Sequence, residues 1–144
     1  MISAAPVAVL GPGSWGTALA MLLARNGHAV RLWGHDPAEI ADLRRDRENR
    51  RYLPNIPFPP DLTVSADLAA TLAGVELALV AVPSHAYAAT LARMRPYLPA
   101  DAGFSWATKG LEPGGGRFLH EVATDILGVA WPTAVISGPS FAVE

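Results

Sequence analysis

Apolar and polar positions follow two alternating rhythms along these 144 residues. Short unbroken apolar runs, rich in Val, Leu and Ala, are separated by longer stretches whose apolar residues return at helical spacing. Pro6 to Leu10 predicts a strand buried on both faces, because no polar residue interrupts it. Trp15 to Asn26 predicts a helix, with Ala18, Leu19, Leu22 and Leu23 as its inner stripe and Gly27 as its stop. Ala29 to Trp33 is the second strand, and a charged helix follows from Pro37. "YLPNIPFPPDL" holds four prolines in eleven residues, which predicts a loop or extended connection.

The same alternation continues to the end. Thr63 to Ser65 predicts a short strand, and "ADLAATLAG" a short helix capped by Ser65 or Asp67 and closed by Gly74. "VELALVAVP" is a strand ended by proline, and "SHAYAATLARMRPYL" a helix with Ser84 as N-cap. "GFSWATKG" and "TAVISG" are strands flanking the helix "GRFLHEVATDIL". Strands and helices in strict alternation predict an α/β fold, a doubly wound, mostly parallel sheet with helices on both faces. Residues 1–144 form one domain in this reading, and because "TAVISGPSFAVE" is a strand running into the start of another element, the segment reads as the front part of a longer protein.

Composition narrows the function classes. Hydrophobic residues make up 51% and charged residues 17%, enough apolar surface for a core and too much for disorder. A net charge of −2 gives no reason to expect nucleic acid as a partner. No apolar run approaches the roughly 18 residues of a membrane span, and "MISAAPVAVLG" lacks the basic start of a secretory signal. The chain has no cysteine, so disulfides and thiol chemistry are absent from it, and no metal site is expected. These features together predict a cytoplasmic domain.

Chemistry enters with the turn after the first strand. Gly11, Gly13 and Gly16 give G-x-G-x-x-G between a buried strand and a helix. The spacing alone suits a tight turn before a packed helix; with the strand before it and its place near the N-terminus, it reads as the dinucleotide cradle of a Rossmann domain. In the cradle, Gly11 permits the turn, Gly13 lets backbone approach a pyrophosphate and Gly16 allows helix to pack on strand. The amides of Ser14 and Trp15 then lie at the positive end of the helix dipole. Pro12 has no N–H, so phosphate donors start at Gly13. Asp36 stands where an acidic residue would meet a ribose, with His35 before it. Five of the eleven Lys and Arg residues fall between Arg44 and Arg51. A solvated helix face with i,i+4 pairs accounts for most of them, and a cationic rim there is also compatible with the 2′-phosphate of NADP.

Ligands of such sheets bind beyond the carboxyl ends of the strands. Those ends carry Pro83, Ser84 and His85, then Lys109 between Thr108 and Gly110, then Gly138 and Ser140. A lysine directly after a buried strand needs an anion or solvent for its ammonium. Gly138-Pro139-Ser140 is either a plain turn or an oxyanion site beside that lysine. His85 reads as packing at a helix start.

"GPGSWGTALA", "LWGHDP", "YLPNIPFP", "VPSH", "ATKGLE" and "ISGPSFAVE" occur in this order over essentially the whole chain. In this the chain resembles the bacterial NAD(P)-dependent glycerol-3-phosphate dehydrogenases, with Pro12 where Ala is common. The resemblance implies cofactor contacts at Ser14, Trp15, His35, Tyr52, Lys109 and Ala142, beside the glycines Gly11, Gly13 and Gly16. It implies substrate contacts at Lys109, Gly138 and Ser140. It further implies NAD or NADP as cofactor, a small phosphate substrate, and a general acid/base lysine in a helical C-terminal domain that lies outside these 144 residues. A homodimer of the full-length protein is compatible with it. Two rivals remain at this point, a non-catalytic nucleotide-sensing module and another two-domain dehydrogenase of the 3-hydroxyacyl-CoA or ketopantoate type.

Overall fold

The computed structural model describes residues 5–128 and 131–138. Strands β1 (Val7–Leu10), β2 (Val30–Trp33), β5 (Leu62–Ser65), β6 (Leu77–Val80), β7 (Gly103–Trp106) and β8 (Thr133–Val135) form one sheet in the order β5-β2-β1-β6-β7-β8. Every pairing in it is parallel. The chain winds outward from β1 in one direction through β2 and β5, then in the other through β6, β7 and β8. The crevice where the winding reverses therefore lies between the ends of β1 and β6. The doubly wound architecture expected from the alternation is the one observed.

Two core clusters explain why the strands are apolar throughout. On one face, α1 (Ser14–Arg25) and α2 (Pro37–Asp46) cover Val9, Leu32, Val64 and Leu79. On the other, α3 (Leu68–Leu72), α4 (Ser84–Met94) and α5 (Leu119–Leu127) cover Ala8, Leu10, Ala78, Val80 and Phe104. Alternate residues of one strand thus enter opposite cores. Burying each Leu or Val side chain contributes about 1.5–3 kcal/mol.

Several local expectations are corrected. The sheet-facing ridge of α1 is Gly16, Thr17, Ala20, Met21 and Ala24, whereas Leu22 is 55% exposed and Leu19 and Leu23 are half-buried. Small residues one turn apart let the helix lie close on the sheet; Leu19 and Leu23 still pack against this core, and only Leu22 of the expected leucines faces outward. Ser84 is the first residue of α4 and Pro83 its N-cap, without a capping side chain. Asp67 caps α3 by accepting from Ala70 N–H at 3.0 Å, and Ser65 Oγ accepts from Asp67 N–H. The basic run is helical only to Asp46. Arg47 turns the chain at φ 53°, and β3 (Glu48–Asn49) pairs antiparallel with β4 (Leu53–Pro57), so the proline-rich segment is extended as expected.

Candidate functional site

The turn between β1 and α1 separates the three glycines by cause. Gly11 has φ +116°, and a Cβ there would lie 2.8 Å from the Ala81 carbonyl oxygen. A Cβ on Gly16 would lie 1.9 Å from the Gly11 carbonyl oxygen and 3.2 Å from Ala81 Cβ. Both glycines are demanded by the approach of α1 to the end of β6. Gly13 is different. Its backbone is ordinary, φ −72° and ψ −173°, and a Cβ there would meet nothing within 4 Å. Neither conformation nor protein packing requires glycine at position 13, so the open space in front of it fits a ligand that must come close to the backbone.

The amides of Ser14 and Trp15 open α1, whose N-cap Gly13 offers no side chain to compete for them. Ser14 is exposed. Pro12 is buried, and its ring fits against Gly34, where a Cβ would approach Pro12 Cγ to 2.9 Å. The Pro12 carbonyl accepts from Asn49 Nδ2 at 2.9 Å. The same Nδ2 donates to Thr17 Oγ1 at 2.9 Å, and Asn49 Oδ1 accepts from Tyr52 N–H at 3.2 Å. The Tyr52 ring is 39% exposed, with the Arg51 guanidinium 5.1 Å from its centroid.

His35 and Asp36 are exposed just beyond β2. Asp36 Oδ1 accepts from Ala38 N–H at 2.9 Å and caps α2, a structural role that the ribose reading did not assign. The arginine run is mostly committed elsewhere. Arg44 donates to the Val64 carbonyl, and Arg47 to those of Leu62 and Pro59. Arg45 pairs with Asp42 and Asp46, and Arg50 with Asp46 and Glu48. The Asp46 carboxyl is held below its usual range by its hydrogen bond from Arg45. Arg51 is left stacked on Tyr52.

At the other side of the crevice, the ends of β7 and β8 and the start of α5 enclose a cleft of about 650 Å³. Thr108, Lys109, Phe118, His120, Ser137 and Gly138 line it. Thr108 Oγ1 donates to the Val82 carbonyl at 2.8 Å, tying the segment that carries Lys109 to the end of β6. Phe118 and His120 stack at the rim with ring centroids 5.6 Å apart, a feature the sequence did not announce. The N-terminus of α5 is closed by Glu121, whose Oε2 accepts from Phe118 N–H at 3.0 Å. His85 is exposed, and it and Ser84 do not line the cleft. Ser140 and Ala142 lie outside the described residues.

One contact joins the two halves. A Cβ on Gly138 would stand 2.8 Å from Cζ2 and 3.0 Å from Cη2 of Trp15, so the indole occupies the space that glycine leaves. The structure therefore brings Gly11, Gly13, Ser14, Trp15 and Gly16 together with Gly138, which shares the cleft with Lys109. Tyr52 is connected to the turn through Asn49.

With that geometry in view, comparison with known proteins is decisive. Residues 6–144 match the model of the NAD-dependent glycerol-3-phosphate dehydrogenase N-terminus. The chain belongs to this family. It is 57% identical over 138 residues to the glycerol-3-phosphate dehydrogenase [NAD(P)+] of Xanthomonas campestris pv. campestris, covering 96% of the chain and 40% of that relative. It is 52% identical over 138 residues to the enzyme of the same name from Aeromonas hydrophila, covering 96% of the chain and 41% of that relative. The crystal structure of glycerol-3-phosphate dehydrogenase from Coxiella burnetii superposes with a TM-score of 0.89 at 48% identity, over 96% of this chain and 42% of that one. The chain thus spans about two fifths of the length of the relatives it matches. No helix among the described residues is long and apolar enough to cross a membrane.

Proposed function

We propose that this chain is the dinucleotide-binding part of an NAD(P)-dependent glycerol-3-phosphate dehydrogenase, which interconverts dihydroxyacetone phosphate and sn-glycerol 3-phosphate and so supplies the backbone of phospholipids. The observation that carries the reading is the glycine turn, where Gly11 and Gly16 answer to packing and Gly13 alone faces open space. The nicotinamide cofactor supplies a hydride to the substrate carbonyl carbon, or accepts one from the alcohol. The chain's own groups bind and orient. Amides from Gly13 through Trp15 hold the diphosphate at the start of α1, and Tyr52 and His35 flank the adenosine end. Lys109 draws the phosphate substrate into the cleft and stabilises negative charge on its carbonyl oxygen during reduction. Gly138 belongs to the substrate side, as do Ser140 and, for the cofactor, Ala142. Both NAD and NADP are accommodated in this proposal, with the Arg51 guanidinium as a cationic group available to a 2′-phosphate. The cytoplasmic location and a dimer of the full-length protein are further parts of it.

Fluorescence titration of the chain with NADH and NADPH tests the first step. The wild type binds, whereas Gly13→Val loses at least tenfold in affinity while its unfolding free energy falls by only about 1 kcal/mol, the cost of valine at an N-cap. Equal affinities would refute the cradle. The chain alone is expected not to reduce dihydroxyacetone phosphate. In the full-length protein, Lys109→Ala should lower kcat/KM sharply, whereas a nucleotide sensor would keep its ligand response.

A further inference from the structure

Asn49 is a polar residue only 1% exposed, in a two-residue strand beyond the edge of the main sheet. Its amide has a single workable orientation. The Pro12 carbonyl can only accept and the Tyr52 N–H can only donate, so Nδ2 must face Pro12 and Oδ1 must face Tyr52, as observed at 2.9 Å and 3.2 Å. The second Nδ2 hydrogen goes to Thr17 Oγ1, one turn into α1. One side chain thus ties three segments together: the glycine turn, the first helix and the Tyr52 hairpin.

The consequence lies in the peptide between Pro12 and Gly13. The unit is planar and trans, so its carbonyl and the following N–H point in opposite directions. Holding the Pro12 carbonyl against Asn49 aims the Gly13 N–H away from the interior. Gly13 is the first residue of the turn able to donate after Pro12, which has no N–H of its own. We infer that Asn49 is a positioning residue of the dinucleotide site, fixing the Pro12–Gly13 peptide so that its N–H is presented to a diphosphate. The inference rests on the dinucleotide reading above and adds a residue that neither the glycine pattern nor the family resemblance singled out.

Asn49→Asp is the sharpest test, because it keeps the shape and removes both donors, setting a carboxylate oxygen against the Pro12 carbonyl. Binding of ADP-ribose and of adenosine to the chain is followed by NMR titration. Adenosine has no phosphate and does not engage the turn. The inference predicts that Asn49→Asp binds ADP-ribose at least tenfold more weakly while adenosine affinity stays within twofold. Equal weakening of both ligands, or of neither, would overturn it, the first outcome meaning that Asn49 serves only the fold. Should that variant fail to fold, Thr17→Val and Thr17→Ser decide. Valine removes the hydroxyl that anchors the amide and should cost about threefold for ADP-ribose, whereas serine restores binding. Identical binding by the two overturns the inference. A wild-type chain that binds neither ligand removes the dinucleotide reading itself, and this inference with it.

Discussion

The two sides of the crevice are built to different tolerances. Around the glycine turn, β1 is paired on both edges, and the buried polar groups Asn49 and Thr17 are hydrogen bonded to each other and to backbone. Around the cleft, every residue of β8 is exposed, Val135 to 63% and Phe118 beside it to 60%. Elsewhere among the described residues, His28 Nδ1 and the buried hydroxyls of Tyr87 and Ser105 have no hydrogen-bond partner. The difference teaches that the glycine-turn side is fixed several times over by its own sequence. On the cleft side, β8 pairs with β7 and Thr108 ties the segment after β7 to Val82. Binding and turnover should accordingly separate, with the first surviving in this chain and the second not.

The largest break in the comparison comes from Gly16→Ala. The new Cβ would fall inside the Gly11 carbonyl, so at least about 3 kcal/mol of stability should be lost; urea unfolding measures it, and a small loss would mean that the turn is slack. Gly138→Ala addresses the slacker half. Its Cβ meets the far edge of an indole rather than backbone, so a cost of about 1–2 kcal/mol is expected, with a change in tryptophan emission as Trp15 gives way. A cost as large as that at Gly16 would show the cleft side to be equally rigid.

Tyr87→Phe should raise stability by up to about 1 kcal/mol, since it removes a buried hydroxyl without a partner and keeps the edge-on packing on Trp106 at 6.2 Å. It also carries a pH signature. Burial pushes the Tyr87 phenol above its ordinary value, so the unfolded chain releases that proton first, near pH 10. Stability from this group is complete below about pH 10 and declines as pH rises further. Thermal unfolding at alkaline pH should show a shallower decline for the phenylalanine variant. The smallest effect belongs to Leu22→Gln, which should change stability by no more than about 0.5 kcal/mol because that side chain faces outward from α1. A loss above about 2 kcal/mol would restore the leucine stripe to the core.

The fold was legible because its signals are local and redundant. The runs that became β1, β6 and β7 are apolar for the same reason that they are central, and the turn glycines stand where the chain reverses direction. Hydrophobicity alone points away from the most buried ridge of α1, because Gly16, Ala20 and Ala24 are buried for their small size and larger side chains there would hold the helix away. Asn49 is hidden in the sequence because a lone Asn among Arg and Glu looks like surface, and its three partners are brought to it only by the fold. The Phe118–His120 pair was equally hidden, since a rim is made by neighbours distant in sequence. The site residues that the resemblance supplied and the cleft that the sheet builds meet at Lys109 and Gly138, which either route reaches separately.

The Pro12 ring lodges where Gly34 has no side chain, with Ile40 Cδ1 also 3.0 Å from the same vacant position. Residues 12 and 34 are therefore epistatic. An alanine at 34 should cost less stability when residue 12 is alanine than when it is proline, with the Ile40 side chain left to give way in either background.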